Sequence, residues 1–155
     1  MKKLTFDPKG SFIEEESVEV VQARFTFDPP PGYVAGETIL FCRLTLMRLT
    51  YPRGRIIEQY WSAGCCSYLI PDDSGYRLQK VGSGRPLLHR ESNFHHLMQS
   101  LHDAGFQDRG MTDLRRLLGL RMVLERRRVK HGTYGILVCA RILPVPTKRK
   151  RGSTT

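Results

Sequence analysis

Several things are missing from this 155-residue chain, and each absence removes a class of function. No apolar run approaches the twenty or so residues a membrane-spanning helix needs, so no membrane partner is expected. The start, MKKLTFDP, is basic but lacks the apolar stretch of a secretory leader. There is no G-x-S-x-G, no phosphate-binding Walker loop, no H-E-x-x-H and no G-x-G-x-x-G. Gly82–Ser83–Gly84–Arg85 is too short for a phosphate loop and has no lysine. His89–Arg90–Glu91 fits the H-x-E of zinc deaminases, but the P-C-x-x-C partner they require is absent. These gaps argue for a non-enzymatic protein without cofactor or metal.

Cysteine is scarce and badly spaced for metal. Cys42, Cys65, Cys66 and Cys139 do not make a zinc-finger pattern. With no leader, they read as reduced, buried thiols of a cytoplasmic protein. The histidines, His89, His95, His96, His102 and His131, read as surface or interface residues: a metal site wants convergent ligands, and only His95 and His102, seven apart, lie near one face, with His96 off it.

Acidic charge is the other shortage. Twenty-five Lys and Arg face fifteen Asp and Glu, for a net charge of +10. The excess is local: Arg109 to Arg151 holds thirteen cations and two acids, Asp113 and Glu125, whereas Met1 to Asp28 holds six acids and four cations. A positive field in the C-terminal half favours a polyanionic partner, nucleic acid first.

What the chain does contain is strand pattern around one helix. LLHRESNFHHLMQSLHDAGF, Leu87 to Phe106, places Phe94, Leu97, Met98, Leu101 and Ala104 on one helical face. Ser92 is the expected N-cap and Gly105 the expected stop. Before it, Glu37–Tyr51 alternates cleanly, with Leu40, Cys42, Leu44 and Leu46 as the core face and Phe41, Arg43, Thr45 and Met47 opposite. Ile56–Ala63 follows, and alternation does not tell which of its faces is inside. The Pro71–Gly75 turn, whose Asp72 should bond its own backbone, leads to a return strand, Tyr76–Val81. After the helix, Thr112–Leu118 is a short helical turn, and Leu120–Val129 and Tyr134–Leu143 are strands. Ser17–Phe27 is an extra strand or arm with Val21, Ala23, Phe25 and Phe27 on one side, and Glu14–Glu15–Glu16 breaks any earlier strand. Three strands, a helix and two strands is the chain order of the OB-fold, a five-stranded barrel. The organisation expected is therefore mainly β: residues 1–35 an arm or extra strand, 36–144 an OB-like barrel with the helix between strands 3 and 4, and 145–155 a basic tail.

YWSAG after a strand, the PDDSG turn, S-N-F opening a helix that ends in AGF, then GLRMVLERRR and ILVCARILP together resemble small phage and mobile-element proteins regarded as OB-fold, single-stranded-DNA-binding and replication-associated. The likeness runs from about Gly36 to Pro144. It implies the strand order and the ligand class. Bacterial single-strand binders end in an acidic tail that recruits partners; this chain ends in KRKR, so that recruitment is not carried over.

The expected interface combines rings for base stacking with cations for phosphates. Bases would stack on Phe41, Tyr60 or Trp61, and phosphates would meet Arg43, Arg53, Arg55, Lys80, Arg126, Arg128 and Lys130. The competing reading of the rings is that they fill the barrel. The competing reading of Arg121, Arg126, Arg127, Arg128, Lys130 and Arg141 is a solvated, charge-rich hairpin. The partner expected is single-stranded DNA, or RNA, with little sequence preference; a second copy of the chain and replication or recombination proteins are further candidates. Two rival functions remain. One is an assembly module of a phage or replication complex. The other is a small nuclease using Asp72, Asp73 and Glu58.

Overall fold

The computed structural model describes residues 15–34, 38–50, 54–64, 69–82, 92–107, 113–128 and 135–146. Seven strands are described: β1 (Glu15–Thr26), β2 (Leu40–Arg48), β3 (Ile56–Gly64), β4 (Leu69–Pro71), β5 (Leu78–Lys80), β6 (Arg121–Arg128) and β7 (Gly135–Ile142). One α-helix, α1 (Asn93–Asp103), lies between β5 and β6, and a 3₁₀ turn (Leu114–Leu117) follows it. The chain is mainly β. Its five longer strands make one antiparallel sheet in the order β3-β2-β1-β6-β7.

The segment expected to be an arm or extra strand is the middle of that sheet. β1 pairs with β2 along residues 18–26 and with β6 along residues 15–19. Its outline departs from the expected alternation for two physical reasons. A bulge between Val20 and Gln22 turns Val21 outward, so Val18 and Val20 join Ala23 and Phe25 in the core. The strand also starts within the acidic run, at Glu15, with Glu16 ion-paired to Arg48 of the neighbouring β2 at 2.8 Å; whether the run ends an earlier strand lies outside the described residues.

The return strand Tyr76–Val81 does not enter the main sheet. β4 and β5 form a separate two-stranded hairpin, and its tip docks on the end of β1, where Phe25 N–H donates to the Gly75 carbonyl at 2.7 Å. Asp72 behaves as expected of a turn residue: Oδ1 accepts from Ser74 N–H, Ser74 Oγ and Gly75 N–H at 3.0, 2.6 and 3.0 Å.

The helix follows its sequence signals. Ser92 Oγ accepts from His95 N–H at 3.1 Å, and Gly105 takes a left-handed φ of 103° as the chain leaves the helix. Phe94, Leu97 and Leu101 are buried against β7 and β3, the two outer strands of the sheet. Two polar bonds fix these elements together. Ser100 Oγ donates to the Leu97 carbonyl at 2.6 Å and accepts from Cys139 N–H at 2.9 Å. Trp61 Nε1 of β3 donates to the Leu137 carbonyl of β7 at 2.7 Å. Two backbone groups of an outer strand are thus satisfied by side chains.

On β2 the expected core face, Leu40, Cys42, Leu44 and Leu46, is fully buried. On β3 the inner face is Ile57, Gln59, Trp61 and Ala63. Burial pushes the Cys42 thiol up, well above its ordinary value, and the Cys139 thiol up to about 11. Both stay protonated and inert.

Candidate nucleic-acid interface

The three rings expected to stack bases are covered. Trp61 is 1% exposed and lies in the main core, with its N–H spent on Leu137. Phe41 and Tyr60 point to the other side of the sheet, but they are only 2% and 7% exposed. They form a small second cluster apart from the core. Tyr33 meets Phe41 edge to face with centroids 5.4 Å apart, and Phe41 meets Tyr60 at 6.2 Å. Tyr33 belongs to the segment leading out of β1, which folds back over this face. As the structure stands, none of the three offers a bare ring face.

The expected cations divide into three groups. Arg43, half-buried on the outward face of β2, is ion-paired with Glu58 of β3, whose other oxygen accepts from the Tyr60 hydroxyl at 3.4 Å. Lys80 is exposed at the end of β5, on the small hairpin rather than on the main sheet. Arg53 and Lys130 lie outside the described residues.

Arg55, Arg126 and Arg128 form the third group, and the topology draws them to one end. β2 and β6 flank β1 and both run antiparallel to it. The ends where β2 passes to β3 and β6 passes to β7 therefore both lie toward the N-terminal end of β1: β2 ends opposite Val18, and β6 runs on past Glu15. Arg55 is exposed at one of them, next to the Arg48–Glu16 pair, with its carbonyl accepting from Arg48 N–H at 2.9 Å. Arg126, Arg127 and Arg128 line the other. Arg126 Nη1 donates to the Gly135 carbonyl at 3.3 Å across the hairpin, a close approach helped by glycine, since a Cβ there would sit 3.1 Å from that of Arg126. Arg128 is exposed.

Acids are nearer to the arginines than the sequence implied. Arg127 pairs with Glu125 at 2.6 Å, and Arg121 pairs with Glu19 of β1 at 2.8 Å. The second contact joins residues far apart in the chain, and only the β1–β6 pairing supplies it. The arginine hairpin keeps its surplus at its far end, beyond these pairs.

Sequence reasoning missed two features. Arg24 on β1 lies directly opposite Arg43 on β2 in the register, with its side chain against Gly75 of the small hairpin while Arg43 turns to Glu58. The segment that carries Arg24 reads in sequence as an arm or extra strand with no assigned neighbour, so this register is not foreseen. The second feature is a clasp between the small hairpin and the 3₁₀ turn. Asp113 accepts from Arg115 N–H at 2.9 Å, from Arg115 Nη2 at 2.6 Å and from Arg77 Nε at 2.9 Å, while the Arg115 guanidinium sits 5.4 Å over the Tyr76 ring.

The hydrogen-bonded Arg115 side chain, with Arg77, holds the Asp113 carboxyl well below the usual carboxylate range. A depressed folded-state pKa adds stability that is whole above the ordinary value of 3.8 and lost as the pH falls toward the folded one. Urea melts of the wild type and Asp113→Asn should differ by a constant amount from pH 7 down to about pH 5, and the gap should close below that. A gap that persists unchanged to pH 2 would mean the clasp contributes nothing through its charge.

The acids considered for a nuclease have separate engagements: Asp72 in its turn, Glu58 on Arg43 and Tyr60. Among the described residues no group of three or more His, Cys, Asp or Glu side chains is placed to hold a metal ion. No helix among them is long and apolar enough to cross a membrane. No family model, no curated protein and no solved structure matches this chain.

Proposed function

We propose that this protein binds single-stranded nucleic acid without catalysis, on an OB-like five-stranded barrel, and that its first hold is on phosphates. One observation carries the reading: two arginine-bearing strand ends, Arg55 on one and Arg126 to Arg128 on the other, pass the same end of the sheet in a chain of net charge +10. Support for the barrel comes from the sheet order, in which the helix falls between the third and fourth long strands and packs on both outer strands. The Trp61–Leu137 bond across those outer strands adds to it. Cations spaced over two hairpins, one on each side of β1, suit a flexible polyanion, and the Arg guanidinium suits bidentate phosphate contact.

Phosphate contact predicts salt dependence. Titration of a fluorescent oligo-dT should give a log–log slope against salt of about −0.7 for each phosphate neutralised, so three or four contacts give roughly −2 to −3. Flat affinity between 50 and 200 mM salt, or no binding at the lower one, would sink the proposal. A duplex of equal length in parallel tests the preference for single strands.

A further inference from the structure

The outward face of β2 and β3 carries an aromatic pair, Phe41 and Tyr60, beside a cation, Arg43, and this face is occupied by the chain itself. The occupant is the segment 27–34, FDPPPGYV. Pro30 is buried, and Tyr33 caps the Phe41 ring at 5.4 Å. Asp28, exposed, reaches the same neighbourhood. The Tyr60 hydroxyl is held above its ordinary pKa by burial first, with Arg43 opposing and the carboxylates of Glu58 and Asp28 adding to the rise.

How the segment is held matters as much as where it lies. Its described hydrogen bonds are local: Asp28 N–H to Thr26 Oγ1 at 3.0 Å and Tyr33 N–H to the Pro30 carbonyl at 3.1 Å. Three of its residues are prolines, which have no N–H to give to a sheet. Packing does the holding: Phe27 anchors the start of the segment on the main core, and beyond it Pro30 and the Tyr33 ring lie over the outward face. Phe41 and Tyr60 lie outside the main core cluster, so uncovering them leaves that core closed.

We propose that Phe41, Tyr60 and Arg43 form a binding ledge for one nucleotide of a single strand, kept shut by the chain's own strap, in which Tyr33 takes the place of a base and Asp28 the place of its phosphate. The inference rests on the nucleic-acid reading above. A strand captured electrostatically at the arginine ends would displace the strap, and a base would take over the Tyr33 contact. Arg43, now ion-paired with Glu58, is the cation on this face that would meet the incoming phosphate. Trp61, on the inner side, takes no part.

The test uses the full chain with oligo-dT, and with an oligonucleotide carrying 5-bromodeoxyuridine for photo-crosslinking. Tyr33→Ala should bind about tenfold more tightly than wild type, within the range that one stacked base contributes. Its crosslinks, mapped by mass spectrometry, should move onto Phe41 or Tyr60. Adding Phe41→Leu to Tyr33→Ala should cancel the gain. Asp28→Asn, an exposed change that leaves the packing intact, should give a smaller gain of about threefold by removing a competing charge; it carries the test if Tyr33→Ala does not fold. If wild type binds but neither change tightens binding and the crosslinks stay off Phe41 and Tyr60, the ledge is wrong and the phosphate reading stands. If no variant and no wild type binds the oligonucleotide, both fall together.

Discussion

Replacing Trp61 with alanine should remove about 3–5 kcal/mol of stability through the lost burial and the cavity left behind. A further 1–3 kcal/mol or so is expected from stranding the Leu137 carbonyl in the core. Total stabilities of domains this size run from about 5 to 15 kcal/mol, so Trp61→Ala leaves the chain close to unfolding at room temperature. The residue is 1% exposed, and its N–H reaches across to β7 over 76 positions of sequence. Trp61→Phe keeps most of the packing and drops the bond, so its cost should be nearer 1–3 kcal/mol. Urea denaturation followed by circular dichroism measures both, since the variants lose the chain's single tryptophan. Trp61→Ala within about 1 kcal/mol of wild type would show that β3 and β7 do not depend on this contact. In the wild type, emission from Trp61 should not respond to oligonucleotide stacking. That separates a structural tryptophan from a binding one.

The second large effect is on binding. Arg55→Glu with Arg128→Glu reverses one exposed charge at each of the two strand ends on this side of the sheet. Losing two phosphate contacts should flatten the log–log salt slope by about 1.4, and the added repulsion should weaken oligo-dT binding at low salt by roughly a hundredfold. Stability should hardly change, because exposed surface charges contribute little to it. Lys80→Glu, placed on the separate small hairpin, is the control and should fall well short of that loss. Equal losses from Lys80→Glu and the double variant would mean that overall charge, not the two strand ends, governs binding.

The sites divide sharply in how well they could be read in advance. The helix was legible because its signals are local: a serine at the cap, a glycine at the stop, and apolar residues three and four apart. β2, β6 and β7 were legible for the same reason, and so was the Asp72 turn, whose hydrogen bonds span three residues. β1 is legible as an extra strand or arm, but its inward face and its place in the sheet are not, because they depend on neighbours. The bulge at Val20 belongs to its pairing with β2, and Glu16 near its start pairs with Arg48 of that same neighbour. The third barrel strand was assigned to Tyr76–Val81, whereas the sheet takes its fifth member from the N-terminal segment.

The expected rings failed as an exposed stacking surface for a related reason. Alternation separates the two faces of a strand but does not say what lies over either one. Phe41 is legible as lying opposite the Leu40–Leu46 face of β2 and Tyr60 is undecided on β3, but that the segment carrying Tyr33 folds back onto Phe41 is not written in either pattern. Likewise the arginine hairpin read as nearly free of acids, because Glu19 is a hundred positions away in sequence and one strand away in space.

By itself, then, the order of residues determined the β character, the single long helix with both its ends, the inward face of β2 and the basic surplus of the C-terminal half. All of these follow from interactions within about one turn or one pleat of chain, or from charge that is merely added up. The tertiary structure alone decided which strand stands in the middle, which rings are covered, and which arginines are already paired. Those outcomes are set by contacts between segments tens of residues apart, whose free energies no local pattern encodes.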